Sequence, residues 1–210
     1  MNAADDVRAR FDDATRRHLT GPLVPGVDLR LATADEHQAH QDALWASSSE
    51  QPPPDLQPLF SDGDRAAFAA FAAVRGPALS HRVLLCAGDE VVGTYHGVQE
   101  DHGRYYMVNT VVRRDVQGRG LYRAFLPRVV AAVREAGFRE IYSRHRADNN
   151  AVLVPKLKAG FHIAAFEVTP RWGLLVHLRL YLHDGLGRLF HHRVDGSHAA
   201  ELRAAGLSLP

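Results

Sequence analysis

A mixed α/β domain, with one layer of sheet between helices, is expected of this 210-residue chain. Residues 27–112 carry alternating apolar and polar segments that read as a strand meander interrupted by helices. Tyr122, Phe125, Leu126, Val129, Val130 and Val133 recur at i, i+3, i+4, i+7, i+8 and i+11, the stripe of a helix that covers a core. Strand and helix signals then alternate as far as residue 182, so both kinds of element share that core.

In chain order, Val7, Phe11, Ala14 and Thr15 lie among charges and give residues 5–19 the pattern of a short amphipathic helix. Val27–Leu31 alternates and is a strand. Thr33 or Asp35 caps a helix to about Trp45. No helix can cross Pro52-Pro53-Pro54, so residues 47–58 form a loop. Phe68, Phe71, Ala72 and Val74 mark a helix over 64–75, stopped by Gly76-Pro77. Residues 82–87 and 91–98 flank Gly88-Asp89 as a hairpin, and a strand over 104–112 follows the loop 100–103. The striped helix runs to about Ala136, where Gly137 ends it and Pro127 removes one internal bond. Residues 139–146 form a strand. Asn149 and Asn150 then cap a short helix closed by Gly160. Strands over 161–168 and 172–182 join at Pro170-Arg171, with Trp172, Leu174, Val176, Leu178 and Leu180 as the core face of the second. Residues after Asp184 show no clear element. The expected division is an N-terminal helical extension (1–26), a main domain (27–182) and a tail (183–210).

Bulk properties narrow the function classes. A net charge of +1 gives no field for nucleic acid or an anionic membrane. No apolar run approaches the ~18–20 residues of a membrane span. The charged N-terminus has no apolar signal core, and a soluble cytoplasmic protein is expected. Cys86 is the only cysteine, in an apolar run, so it reads as a buried structural thiol. There are 13 histidines, but neither His37 with His40 nor His191-His192 is completed by a carboxylate or thiol at ligand spacing. No metal is expected. Arg144-His145-Arg146 reads as a solvated strand face.

The chemistry concentrates at Gln117-Gly118-Arg119-Gly120-Leu121-Tyr122, between a strand and the striped helix. The opening amides of a helix have no internal partner and sit at the positive end of its dipole, which suits an anion. Gly118 and Gly120 leave the backbone bare, and Arg113, Arg114, Arg119 and Arg123 add charge. Such a turn fits a phosphate seat, with a plain tight connection as the lesser alternative. It is no P-loop, lacking Gly-Lys-Ser/Thr, and it lacks the spacing of a dinucleotide fingerprint.

At this turn the sequence resembles the GNAT acetyltransferase superfamily, whose motif is Gln or Arg, two residues, Gly, one residue, then Gly or Ala. Gln117 and Gly120 match, and Tyr122 stands in the last place. Asn150, a short helix and Lys158-Ala159-Gly160-Phe161 resemble a second family segment in the same order. The resemblance covers residues 27–182. It implies a splayed central sheet of about six to seven strands flanked by helices, with acetyl-CoA as co-substrate and direct attack by a primary amine. The strand 104–112 would part from the strand 139–146 to admit the pantetheine arm. Thr110, Val111 and Val112 would pair with it through their backbones. The Val112 N–H would polarise the thioester carbonyl. Gln117, Gly118, Arg119, Gly120, Leu121, Tyr122 and Arg123 would hold the pyrophosphate, and Asn149 or Asn150 would touch the cofactor.

Two family positions are altered. Tyr106 stands where an acidic base is common, and Lys156 where a tyrosine acid is common. Lys156 then lies near the CoA sulfur, or meets cofactor phosphate or water. An amine of pKa ~10.4 needs a base. The candidates are Glu100, Asp101, His102 and Tyr106, each more readily read as a solvated loop residue or a core hydroxyl. These changes keep alive a second reading, a CoA-binding module or sensor without turnover, and a third, a structural protein that binds no CoA. The acceptor, a small-molecule or peptide amine, is not specified, and a homodimer through the N-terminal helix or the tail is left open.

Overall fold

The computed structural model describes residues 3–48, 55–75 and 78–209. The expected loop at Pro52-Pro53-Pro54 and the helix stop at Gly76-Pro77 lie outside the described residues. The chain runs α1 (Ala3–His18), β1 (Gly21–Val24), β2 (Val27–Leu31), α2 (Ala34–Ser48), α3 (Asp62–Arg75), β3 (Ser80–Ala87), β4 (Glu90–Gln99) and β5 (Arg104–Val112). It continues as α4 (Leu121–Glu135), β6 (Glu140–Arg146), α5 (Asn150–Lys158), β7 (His162–Thr169), β8 (Gly173–Tyr181), α6 (Asp184–Asp195) and α7 (Ala199–Ala204).

Eight strands form one mixed sheet in the order β1-β2-β3-β4-β5-β6-β8-β7. Seven of them were legible as strands. The eighth, β1, is a four-residue segment, Gly21-Pro22-Leu23-Val24, too short to show a period. Helices cover both faces of the sheet. Tyr95 of β4 packs edge-on against Phe125 of α4, with ring centres 5.0 Å apart, whereas the next residue, His96, lies 5.8 Å from His37 of α2. Neighbouring strand residues point to opposite faces, so α4 and α2 lie on opposite sides.

The core sits on the α4 side, where α1 also packs. Phe11, Ala14 and Leu19 of the N-terminal segment enter the same buried cluster as Val83, Tyr105, Phe125 and Ile141. Polar atoms inside it are paired, as burial requires. Thr15 Oγ1 meets His81 Nε2 at 2.8 Å, His81 Nδ1 meets the Tyr105 hydroxyl at 2.6 Å, and the Tyr95 hydroxyl donates to Tyr105 at 3.1 Å. Gly97 is required here, because a Cβ would overlap both tyrosine hydroxyls.

Three sequence expectations change. The tail forms α6 and α7, whose docking rests on Phe190 against His162 and Tyr181 and on buried Leu202. On β8 the core face breaks down at its start. Leu174 is exposed, while Leu175, expected on the outer face, is 5% exposed and lines a cavity. Asn149 stands at the N-cap of α5 without making a side-chain capping bond.

Candidate active site

The strands β5 and β6 are the one parallel pair in the sheet, and they pair only at Arg104–Glu140, Tyr105–Ile141 and Tyr106–Tyr142. Beyond that point β5 continues along β4 to Val112, and β6 continues along β8 to Arg146. Two strand edges therefore face each other across a gap. It holds a cavity of about 550 Å³, walled among others by Met107, Thr110, Tyr122, His145, Asn149 and Lys156.

Strand alternation sorts these walls into two sides. Met107, Ser143 and His145 follow Tyr105 and Ile141 toward α4 and α5. Tyr106, Tyr142 and Arg144 point to the α2 side. There Trp45, near the end of α2, meets Trp172 of the β7–β8 turn edge to face, ring centres 5.9 Å apart, and both line the cavity. On the α5 side Lys156 is fully buried. Its Nζ lies 3.4 Å from Met107 Sδ and 5.0 Å from the centre of the Phe161 ring.

Burial decides the charge state of these inner groups. With no carboxylate beside it, the Lys156 amine is held well below its usual pKa by loss of solvent. The His145 imidazole is pushed down to about 2, first by burial and then by the Lys156 charge. Its Nε2 bonds Ser143 Oγ at 3.1 Å. On the other side, Arg144 Nε donates to the Tyr106 hydroxyl and its Nη1 to Glu167, each at 3.3 Å.

The glycine turn opens beside this cavity. Gln117, Gly118, Arg119 and Gly120 are exposed. Gly118 and Gly120 have φ of +76° and +80°, and no atom lies within 4 Å of where a Cβ would stand. The left-handed backbone, not crowding, is the reason for glycine. α4 starts at Leu121 without a side-chain cap, so its first amides await a partner. Gln117 Nε2 donates to the Val112 carbonyl at 2.8 Å and ties the turn to the end of β5. The Arg113 N–H bonds the Val92 carbonyl of β4 at 2.9 Å. Strand amides alternate, so the Val112 N–H points to the open edge. Arg113 itself is neutralised by Asp115 and Glu90, at 2.7 and 3.1 Å, and adds little charge to the turn.

Of the expected site residues, Tyr106, Thr110, Tyr122, Asn149 and Lys156 line the cavity. Glu100, Asp101 and His102 do not. They precede the paired end of β5, where Asp101 accepts from the Gly103 and Arg104 amides and Glu100 meets Arg104 at 3.4 Å. The run Arg144-His145-Arg146, read as a solvated face, is instead a wall of the cavity. Trp45, Met107 and Asn109 were not singled out as site residues, and Trp172, read as strand core, lines the cavity instead. Their membership depends on where β5 and β6 part, which no local pattern shows. Among the described residues no group of three or more His, Cys, Asp or Glu could hold a metal. No described helix is long and apolar enough to cross a membrane.

The model of the acetyltransferase (GNAT) family matches residues 38–161, more than half the chain. This chain belongs to the GNAT acetyltransferase family. Solved structures with the same fold accompany the match. The ribosomal-protein-S18-alanine N-acetyltransferase from Escherichia coli superposes with a TM-score of 0.55 at 17% identity, over 75% of this chain and 94% of its own. A Salmonella typhimurium protein solved with its cofactor acetyl-CoA gives 0.55 at 17%, over 76% and 95%. A ribosomal L7/L12 alpha-N-protein acetyltransferase in complex with coenzyme A gives 0.56 at 17%, over 77% and 97%. No curated protein matches the sequence significantly. The GNAT sheet, parted between β5 and β6, matches the expected splay.

Proposed function

We propose that this GNAT protein transfers an acetyl group from acetyl-CoA to a primary amine by direct attack. The observation that carries the proposal is the exposed, uncapped start of α4 standing beside a gap between two unpaired strand edges. A diphosphate fits the amides of Gly118–Arg123 with Arg119 and Arg123 at hand. An extended, amide-bearing arm fits the edges of β5 and β6 like an added strand.

In this reading the amine arrives from the α2 side and attacks the thioester carbon. The Val112 N–H receives the developing oxyanion. The tetrahedral intermediate collapses with loss of the CoA thiolate, and the proton shed by the amine leaves through water or Tyr106. Lys156 lies beside the leaving sulfur. It steadies the thiolate by donating an N–H bond.

A second reading, a CoA-binding module without turnover, has its own support: Tyr106 on the α2 side replaces the family's carboxylate base, and Glu100 lies off the cavity. Thiol release from acetyl-CoA with a panel of primary amines separates the two. Catalysis predicts amine-dependent release, whereas binding without release on every amine supports the module.

A further inference from the structure

The walls on the α2 side specify an acceptor. We infer that it is an aromatic α-amine, of low basicity and singly charged, whose ring packs against Trp45 and Trp172. This rests on the acetyl-CoA reading and adds the substrate class.

Three observations converge. The α2 side of the cavity is aromatic: Trp45, Trp172 and Tyr106 wall it, and the two indoles stand edge to face at 5.9 Å. Aromatic rings prefer this arrangement, and a third ring can extend it. The charges there are unsuited to a polyamine or a lysine side chain. Asp148 is the only carboxylate among the described lining residues, and Arg146 holds it through two bonds of 2.6 and 3.0 Å. Glu167, behind Arg144, is closer to His177, at 2.8 Å, than to Arg144. Among the described lining residues no open carboxylate remains to receive a second ammonium group.

The third observation concerns the base. Tyr106 occupies the place where a carboxylate would take the acceptor's proton, and Arg144 lies over its ring, 5.3 Å from the centre. A guanidinium in the wall disfavours a bound ammonium ion and so favours the neutral amine that attacks. An α-amine, pKa ~7.7–8.0, is neutral roughly two orders of magnitude more often at neutral pH than a lysine-type amine of ~10.4. An acceptor of the first kind needs little help from a base, and the missing carboxylate becomes intelligible.

The chemistry could come from a free aromatic amino acid derivative or from a peptide with an aromatic N-terminus. Initial rates of thiol release should be measured with tryptophan amide, phenylalanine amide, alanine amide, a peptide beginning with Trp, Nα-acetyl-lysine amide and spermidine. Calorimetry with acetyl-CoA runs on the same preparation. Expected are a kcat/KM for the aromatic α-amines at least tenfold above alanine amide, and negligible rates with spermidine and the lysine derivative. The Trp-initiated peptide separates the two sources, small molecule or polypeptide. Trp172→Ala should raise KM for tryptophan amide at least fivefold more than it raises KM for alanine amide, while Trp172→Phe should restore most of the loss. Equal or better rates with spermidine, or an aromatic preference that survives Trp172→Ala, overturn the assignment. If acetyl-CoA binds and no aromatic preference appears, the inference fails and the acetyl-CoA reading stands. If acetyl-CoA does not bind, that reading fails and takes the inference with it.

Discussion

Lys156 is the residue with the most to explain. A lysine with no exposed surface, touching a thioether and a phenyl ring, pays a desolvation cost that nothing nearby offsets. Its folded pKa is depressed and its unfolded value is ~10.4, so between the two the unfolded chain binds the extra proton and stability rises with pH. Lys156→Met should therefore raise Tm near neutral pH, with the gain shrinking as pH approaches ~10. Thermal melts of both proteins from pH 7 to 10 check this. The same variant should lose at least tenfold in kcat, and a wild-type kcat would remove Lys156 from the chemistry. Histidines act with the same sign in a lower pH window. His145, His81 and His96 are pushed to about 2, 3 and 4, each chiefly by burial. All three stay neutral in the fold while the unfolded chain protonates near ~6.5. Stability should thus fall as pH drops below ~6.5 and keep falling toward pH 4, by roughly 1 kcal/mol per histidine per unit. Denaturant midpoints at pH 7, 6 and 5 measure it, and a flat profile contradicts the buried neutral rings. The burial of these groups was not legible in the sequence. Lys156 stood out there only by its place in the family motif, and its contacts with Met107 and Phe161 appear when α5 is laid over the sheet.

At the scale of elements, the turn before α4 was legible because its cause is local. Two glycines at positive φ, a preceding strand and a strong apolar stripe all lie within twenty or so residues of one another. Gly120→Val should cost about 1–2 kcal/mol, from the left-handed backbone alone. It should also weaken acetyl-CoA binding tenfold or more by placing methyl groups on the seat. A variant that melts lower yet binds acetyl-CoA normally would show that the seat is elsewhere. The hairpin β3–β4, the strand β5 and the helix α5 were found by the same local logic. β1 was not, being a four-residue edge segment defined by its pairing with β2. α6 was missed because it buries no residue fully and is held by the ring contacts of Phe190. Leu174 and Leu175 exchanged roles, so burial at the start of β8 does not follow the period of the strand.

For the whole molecule, the feature that matters is that β5 and β6 separate after three residue pairs. That separation belongs to no residue. It follows from β5 staying on β4 while β6 stays on β8, and from α5 filling one side and α2 with the β7–β8 turn closing the other. The order of elements and the two matching motifs implied it, but the wall residues Trp45, Asn109, Arg144 and Trp172 appear only when the sheet is assembled. A ligand that bridges the two edges should tighten the entire sheet, so acetyl-CoA at 100 times its Kd should stabilise the protein by roughly 2.7 kcal/mol. A crystal structure of the acetyl-CoA complex is the most direct test. It should show the diphosphate on the amides of residues 118–123, the pantetheine between β5 and β6, and the thioester oxygen at the Val112 N–H. A cofactor bound elsewhere, or one that left the gap between those strands empty, would contradict the account.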